Sequence, residues 1–162
     1  MSIFMHFEGI KGESADSNHK EWMDVRNLRW GVSRDISAKT STQNDRESSN
    51  AEISDLTVTR SMDSASTGLF LESCCGKGKD VVLHLTKTGS GAGADVYVEY
   101  TLKNALISNY EVVANGQDTE RPMEHITISF VDLEFKYIPY DEDGNALAAV
   151  AVGFDTATNT KR

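Results

Sequence analysis

Short runs in which apolar and polar residues alternate dominate this chain. A period of two is what a half-buried β-strand requires, because successive side chains point to opposite faces. Ile3, Met5 and Phe7 share one face of a first strand, followed by the turn-prone Glu8-Gly9-Ile10-Lys11-Gly12. Trp22 to Val32 reads as a second strand, with Leu28, Trp30 and Val32 on one side, and Ile53 to Arg60 as a third. Val81, Leu83 and Leu85 alternate in a fourth, Val96, Val98, Tyr100 and Leu102 in a fifth, and Leu106, Tyr110 and Val112 lie in a sixth. In the longest run Ile126, Ile128 and Phe130 alternate, then Val131, Leu133, Phe135 and Tyr137 continue one step out of phase. That slip predicts a β-bulge near Phe130. Leu147 to Phe154 is the last strand. Strands of this number and spacing predict a mainly β fold, a sandwich or a barrel.

One segment departs from the period of two. Asp63-Ser64-Ala65-Ser66 offers helix N-caps, and Phe70, Leu71, Cys74 and Cys75 then recur at helical spacing before Gly76. This predicts one short helix over about residues 64–75, docked by that stripe, with both cysteines as buried packing residues. Ser33 to Asn50 is polar, rich in serine and threonine, and without apolar period. A loop of that length in a compact domain is usually functional or disordered. Gly89-Ser90-Gly91-Ala92-Gly93 joins two alternating strands as a hairpin tip.

The 162 residues suit a single domain, 1–162, with its own hydrophobic core. A net charge of −9 repels phosphates, so neither nucleic acid nor an anionic membrane is an expected partner. Adjacent Cys74 and Cys75 make no disulfide framework, which fits folding in a reducing cytosol. The amino terminus lacks the basic and long apolar regions of a secretory signal, and no apolar stretch is long enough to span a membrane.

Motifs that could carry chemistry reduce to turns. The G-x-G-x-G of the hairpin tip has neither the dinucleotide spacing nor a following helix, and Gly76-Lys77-Gly78-Lys79-Asp80 lacks the P-loop spacing. Asp141-Glu142-Asp143-Gly144-Asn145 resembles a calcium loop faintly, but its twelfth position is Val152 where a glutamate is needed. The histidines His6, His19, His84 and His125 show no metal-ligand spacing and read as ordinary strand or loop residues. No catalytic residue, metal or cofactor is expected, and the chain is read as not an enzyme.

Several segments, in order, resemble the haemolysin-coregulated protein family, Hcp, the tube subunit of the type VI secretion system. They are Gly12-Glu13-Ser14-Ala15-Asp16-Ser17-Asn18-His19-Lys20, Trp30-Gly31-Val32, Met62-Asp63-Ser64-Ala65-Ser66 leading into Leu69-Phe70-Leu71, Tyr137 through Asp143-Gly144, and Val152-Gly153-Phe154-Asp155. Gly68 departs from the family, which often has an apolar residue there. The resemblance implies a barrel of two packed antiparallel sheets with one helix at its side. It implies homohexameric rings stacked into a hollow tube, capped by a VgrG-type spike and expelled by contractile sheath proteins, with small secreted effectors carried inside. The protein would then be cytoplasmic before assembly and extracellular afterwards, without a signal peptide. The carboxyl end, Thr158-Asn159-Thr160-Lys161-Arg162, is expected to leave no room for an added toxin domain. Rings need a contact that reaches past one barrel, and the polar 33–50 loop is the expected stacking element, through Arg34, Asp35, Ser37, Lys39 and Ser41. A small-ligand-binding β-barrel carrier is the alternative reading.

Overall fold

The structure is a computed structural model that describes residues 1–36, 50–88 and 93–162. Its strands are β1 (Ser2–Phe7), β2 (Met23–Val25), β3 (Asn27–Arg29), β4 (Val32–Ser33), β5 (Glu52–Ile53), β6 (Leu56–Ser61), β7 (Lys79–Thr88), β8 (Ala94–Val113), β9 (Met123–Ser129), β10 (Asp132–Tyr137), β11 (Val150–Asp155) and β12 (Thr160–Lys161). One helix, α1 (Ser66–Cys75), separates β6 from β7. All pairings are antiparallel. The first sheet runs β12-β11-β10-β8-β7-β1-β2, and the second joins β3, β6 and β9 to β8. The mainly β architecture with one short helix is therefore as the alternation indicated. The order of the first sheet has two ends, β12 and β2, so its ladder does not close on itself among the described residues.

β8 is shared by the two sheets. Its first half pairs with β7 and β10, and its second half with β9. Val98, Tyr100 and Leu102 face the core, then Lys103 and Asn104 are both exposed, then Ala105 and Ile107 face the core. Asn104 takes up this change of phase with a φ of 52°, a left-handed conformation that asparagine tolerates better than most residues. The fifth and sixth runs of the sequence are thus one strand, in which Ala105 and Ile107 are buried after the bend while Leu106 and Val112 are exposed.

The same crossing between sheets explains two other departures. The expected second strand breaks at Arg26, where β2 leaves β1 in the first sheet and β3 joins β6 in the second. The slip near Phe130 is not a bulge within one strand. It is a break at Phe130-Val131, between β9 on the second sheet and β10 on the first. A chain that changes sheets must re-aim its side chains, and the hydrophobic phase shifts with it.

The enclosed core is built from Met5, Phe7, Met23, Leu56, Val58, Leu69, Val81, Leu83, Leu102, Ile126 and Ile128, each fully buried. Arg60 occupies the same inward phase of β6 as Leu56 and Val58. Its Nη1 donates to Glu124 Oε1 at 2.6 Å and its Nη2 pairs with Asp63 Oδ1 at 2.6 Å. Ser66 Oγ donates to Glu124 Oε1 at 2.7 Å, and the Tyr110 hydroxyl donates to the other oxygen. Burial, then the bond to Glu124, pushes the Tyr110 hydroxyl well above its ordinary pKa, so it stays a donor. One charged network therefore ties β6, β8, β9 and the start of α1 together.

α1 docks by Leu69, with Ala65 and Ser66 buried before it. Phe70 and Leu71 are 56% and 60% exposed, and both cysteines are exposed. The expected stripe is real in period but lies on the other side of the helix. Helical spacing identifies a face and not which neighbour covers it. Cys74 and Cys75 are accordingly expected to react with a thiol reagent in the folded single chain as fast as a small free thiol. Slow modification that speeds up only on unfolding would restore the buried reading. Gly68 has a purpose in this packing, since a Cβ there would press within 3.3 Å of Ile10 Cγ2.

Candidate assembly surface

Two unlike apolar patches remain uncovered. The first surrounds β11. Val150 and Val152 are 65% and 53% exposed, and Leu147 and Tyr137 are exposed beside them. β10 pairs with β11 along its whole length, but β12 covers the other edge only at Phe154 and Asp155. Backbone edge along Val150–Val152 is therefore open among the described residues. Open edges carrying apolar side chains are natural docking elements, and proteins that stay monomeric usually blunt them. The approach to β11 is a tight turn in which the Asp141 carboxylate accepts the backbone N–H groups of Asp143 and Asn145, and Gly144 takes a φ of 83°. Those N–H groups, Asn145 first, hold the Asp141 carboxyl below the usual carboxylate range. The acidic run is thus a turn, as its Asp-Gly pair suggested.

Beside β11 lies an apolar groove lined by Trp30, Val32, Ile53, Phe135, Val152 and Phe154. Trp30 packs edge-on to Tyr100 and Phe135, which fixes the path of the chain into β4. β4 and β5 form a separate two-stranded ribbon, with Val32 opposite Ile53, at the base of the long polar segment.

The second patch is formed by Phe70 and Leu71 of α1 with Val112, which is exposed on the face of β8 that carries Tyr110, whereas Leu106 and Val113 are exposed on the opposite face of that strand. Phe70 meets Tyr110 edge-on at 6.4 Å between ring centroids, which seats the helix on the second half of that strand.

Of the expected stacking residues, Arg34 and Asp35 lie exposed just beyond β4, a few residues after Val32 of the apolar groove. Ser37, Lys39 and Ser41 lie outside the described residues. Neither apolar patch was foreseen as an interface. The available signal was Val150 and Val152 alternating next to a turn, and a helical stripe with no second apolar stripe opposite it. No helix among the described residues is long and apolar enough to cross a membrane.

Comparison with known proteins agrees with this geometry. Residues 4–137 match the family described as "Type VI secretion system effector, Hcp". The protein hcp1 of Pseudomonas aeruginosa is 26% identical over 144 residues, covering 89% of this chain and 87% of that one. A solved structure described as a type six secretion system protein superposes with a TM-score of 0.90 at 25% identity, covering 99% of both chains. Hcp1 from Salmonella typhimurium shares the fold at a TM-score of 0.78 and 22% identity, covering 99% of this chain and 98% of that one. With the family matched across most of its length and the fold matched end to end, this chain belongs to the Hcp family of type VI secretion proteins.

Proposed function

We propose that this chain is the structural subunit of a type VI secretion tube, a non-enzymatic protein that closes into hexameric rings. The observation that carries the reading is the pair of unlike apolar patches on one Hcp-family chain. A self-complementary patch produces a two-fold dimer. Two different patches that meet produce a head-to-tail contact, which closes into a ring when the rotation allows. The edge of β11 and its groove form one partner surface, and α1 with the second half of β8 forms the other.

Stacking of rings into a hollow tube is assigned to the segment 33–50, with Arg34 and Asp35 at its base. The remaining partners are a VgrG-type spike at the end of the tube, contractile sheath proteins around it, and small secreted effectors within it. The subunit is made in the cytoplasm and leaves the cell with the tube.

Native mass by size-exclusion chromatography with light scattering, on a fraction also imaged by negative stain, tests the reading. Six times the chain mass with annular particles is the expected result. A chain that stays monomeric across a wide concentration range would overturn ring formation and return attention to a ligand-carrying β-fold.

A further inference from the structure

On the first sheet, the side chains that point away from the core include a row across adjacent strands. Asp24 stands opposite Phe4, Phe4 opposite His84, His84 opposite Glu99, and Glu99 opposite Lys136. The segment 12–22 lies over this row. Its His19, 1% exposed, stacks on Phe4 with ring centroids 4.3 Å apart, and its Trp22 packs on His84 at 4.6 Å and on His6 at 5.3 Å. Three short polar contacts then run in series. Asp16 Oδ2 lies 2.7 Å from His19 Nδ1, His19 Nε2 lies 2.8 Å from His84 Nδ1, and His84 Nε2 lies 2.7 Å from Glu99 Oε2.

Each contact needs one hydrogen between its heavy atoms. Ionised carboxylates have none to give, so the four ring nitrogens must supply all three. Two neutral imidazoles carry only two. The complete chain therefore holds one excess proton, and the pair of rings is one imidazole and one imidazolium. A proton fewer leaves one contact without a hydrogen. A proton more places N–H groups on both facing nitrogens, 2.8 Å apart, and brings two cations together.

We infer that Asp16, His19, His84 and Glu99 form a one-proton latch that fastens residues 12–22 to the sheet and opens when acid charges both rings. The latch also grips the start of β8. Asp16 Oδ1 accepts the Ala94 N–H at 3.2 Å, and Asn18 Nδ2 donates to the Ala94 carbonyl at 3.2 Å. Opening it frees the segment and the first residue of β8, next to the hairpin turn, together.

The surroundings set the acid side as the one that opens. Burial first of all holds His84 below its ordinary pKa, against the hydrogen bond and charge of Glu99, with His19 and Lys136 adding to the lowering. At the other end of the series the Asp16 carboxyl is held low chiefly by its bond to His19. The other ionisable groups facing the cluster are Asp24 on β2 and His6 on β1; burial pushes the Asp24 carboxyl up, and its charge when formed acts on Asp16. For His84, whose folded pKa is depressed, the contribution present above the unfolded value of about 6.5 is lost on the acid side, as pH falls through the folded value.

Magic-angle-spinning NMR of the full chain with 15N-labelled histidine counts the ring protons directly. At pH 7.5 the expected result is one imidazolium in the His19–His84 pair, with an N–H···N coupling between the rings. Two neutral rings without that coupling would overturn the latch. Trp22 supplies the second readout in a Trp30→Phe chain. Its emission is expected to shift to the red in one step below pH 6.5 while far-UV circular dichroism is unchanged, and His84→Gln is expected to abolish the step. A step that persists unaltered in folded His84→Gln, or no step down to the onset of global unfolding, would also overturn it.

Discussion

Arg60→Met is expected to destabilise the fold by about 3–5 kcal/mol, the effect of leaving one half of a buried ion pair without its partner. Arg60 and Glu124 are both almost fully enclosed, at 1% and 0% exposure, so water cannot solvate the orphaned carboxylate. Methionine fills similar space, which separates the charge effect from that of a cavity. The double variant Arg60→Met with Glu124→Leu is expected to recover part of the loss, because the Glu124 carboxylate is removed while Asp63, 9% exposed, still lacks its cation. Tyr110 and Ser66 lose a hydrogen-bond acceptor in that variant, so recovery stays incomplete. Urea unfolding followed by circular dichroism measures all three chains. Equal stability of Arg60→Met and wild type would mean that the network contributes nothing net.

Val152→Asp and Phe70→Asp are each expected to reduce the native mass from that of a ring to that of a single chain, a sixfold drop. Both positions are more than half exposed in the single chain, so neither charge has to enter the core. Each would lie desolvated and unpaired in a ring contact. Mixing the two variants gives the sharper test. In a head-to-tail contact each chain offers the β11 surface to one neighbour and the α1 surface to the other. Val152→Asp retains a working α1 surface and Phe70→Asp a working β11 surface, so the mixture should form one-to-one pairs that cannot grow. A self-complementary contact through either patch would give no such rescue. Cys74 and Cys75 lie on α1 next to Phe70 and Leu71 and provide an independent check, since their labelling should slow on ring formation.

The strands that line the core were legible because each of them buries one face, and alternation reports that directly. Met5 and Phe7, Val81 and Leu83, and Ile126 and Ile128 all point inward as their spacing required. The crossings between sheets were less legible. A change of phase at Phe130 is compatible with a bulge or with a change of sheet, and only the pairing partners of β9 and β10 separate the two. α1 was placed within two residues of its start, but the wrong face was assigned to the core. Leu69 is its one buried apolar residue, and one buried leucine makes a weaker pattern than the four-residue stripe turned outward. The histidines showed nothing in the sequence because His19 and His84 meet only through the folding of a loop onto a sheet. Of the expected stacking residues, Arg34 and Asp35 are exposed beyond β4, and the rest fall outside the described residues.

β8 has a mechanical consequence. The halves of a sandwich held by side-chain packing alone can slide or part without straining the backbone. Here a single covalent strand is woven into both sheets, and a force that would part them is carried along the peptide chain. Antiparallel hydrogen bonds lie perpendicular to the strands, so a pull along β8 loads many of them at once instead of one after another. Compliance is then concentrated where the chain crosses, at Arg26, Asn104 and Phe130-Val131 and through the α1 segment between β6 and β7. In the proposed tube, a subunit made this way would pass a thrust to its neighbours along a covalent strand and not through side-chain packing alone.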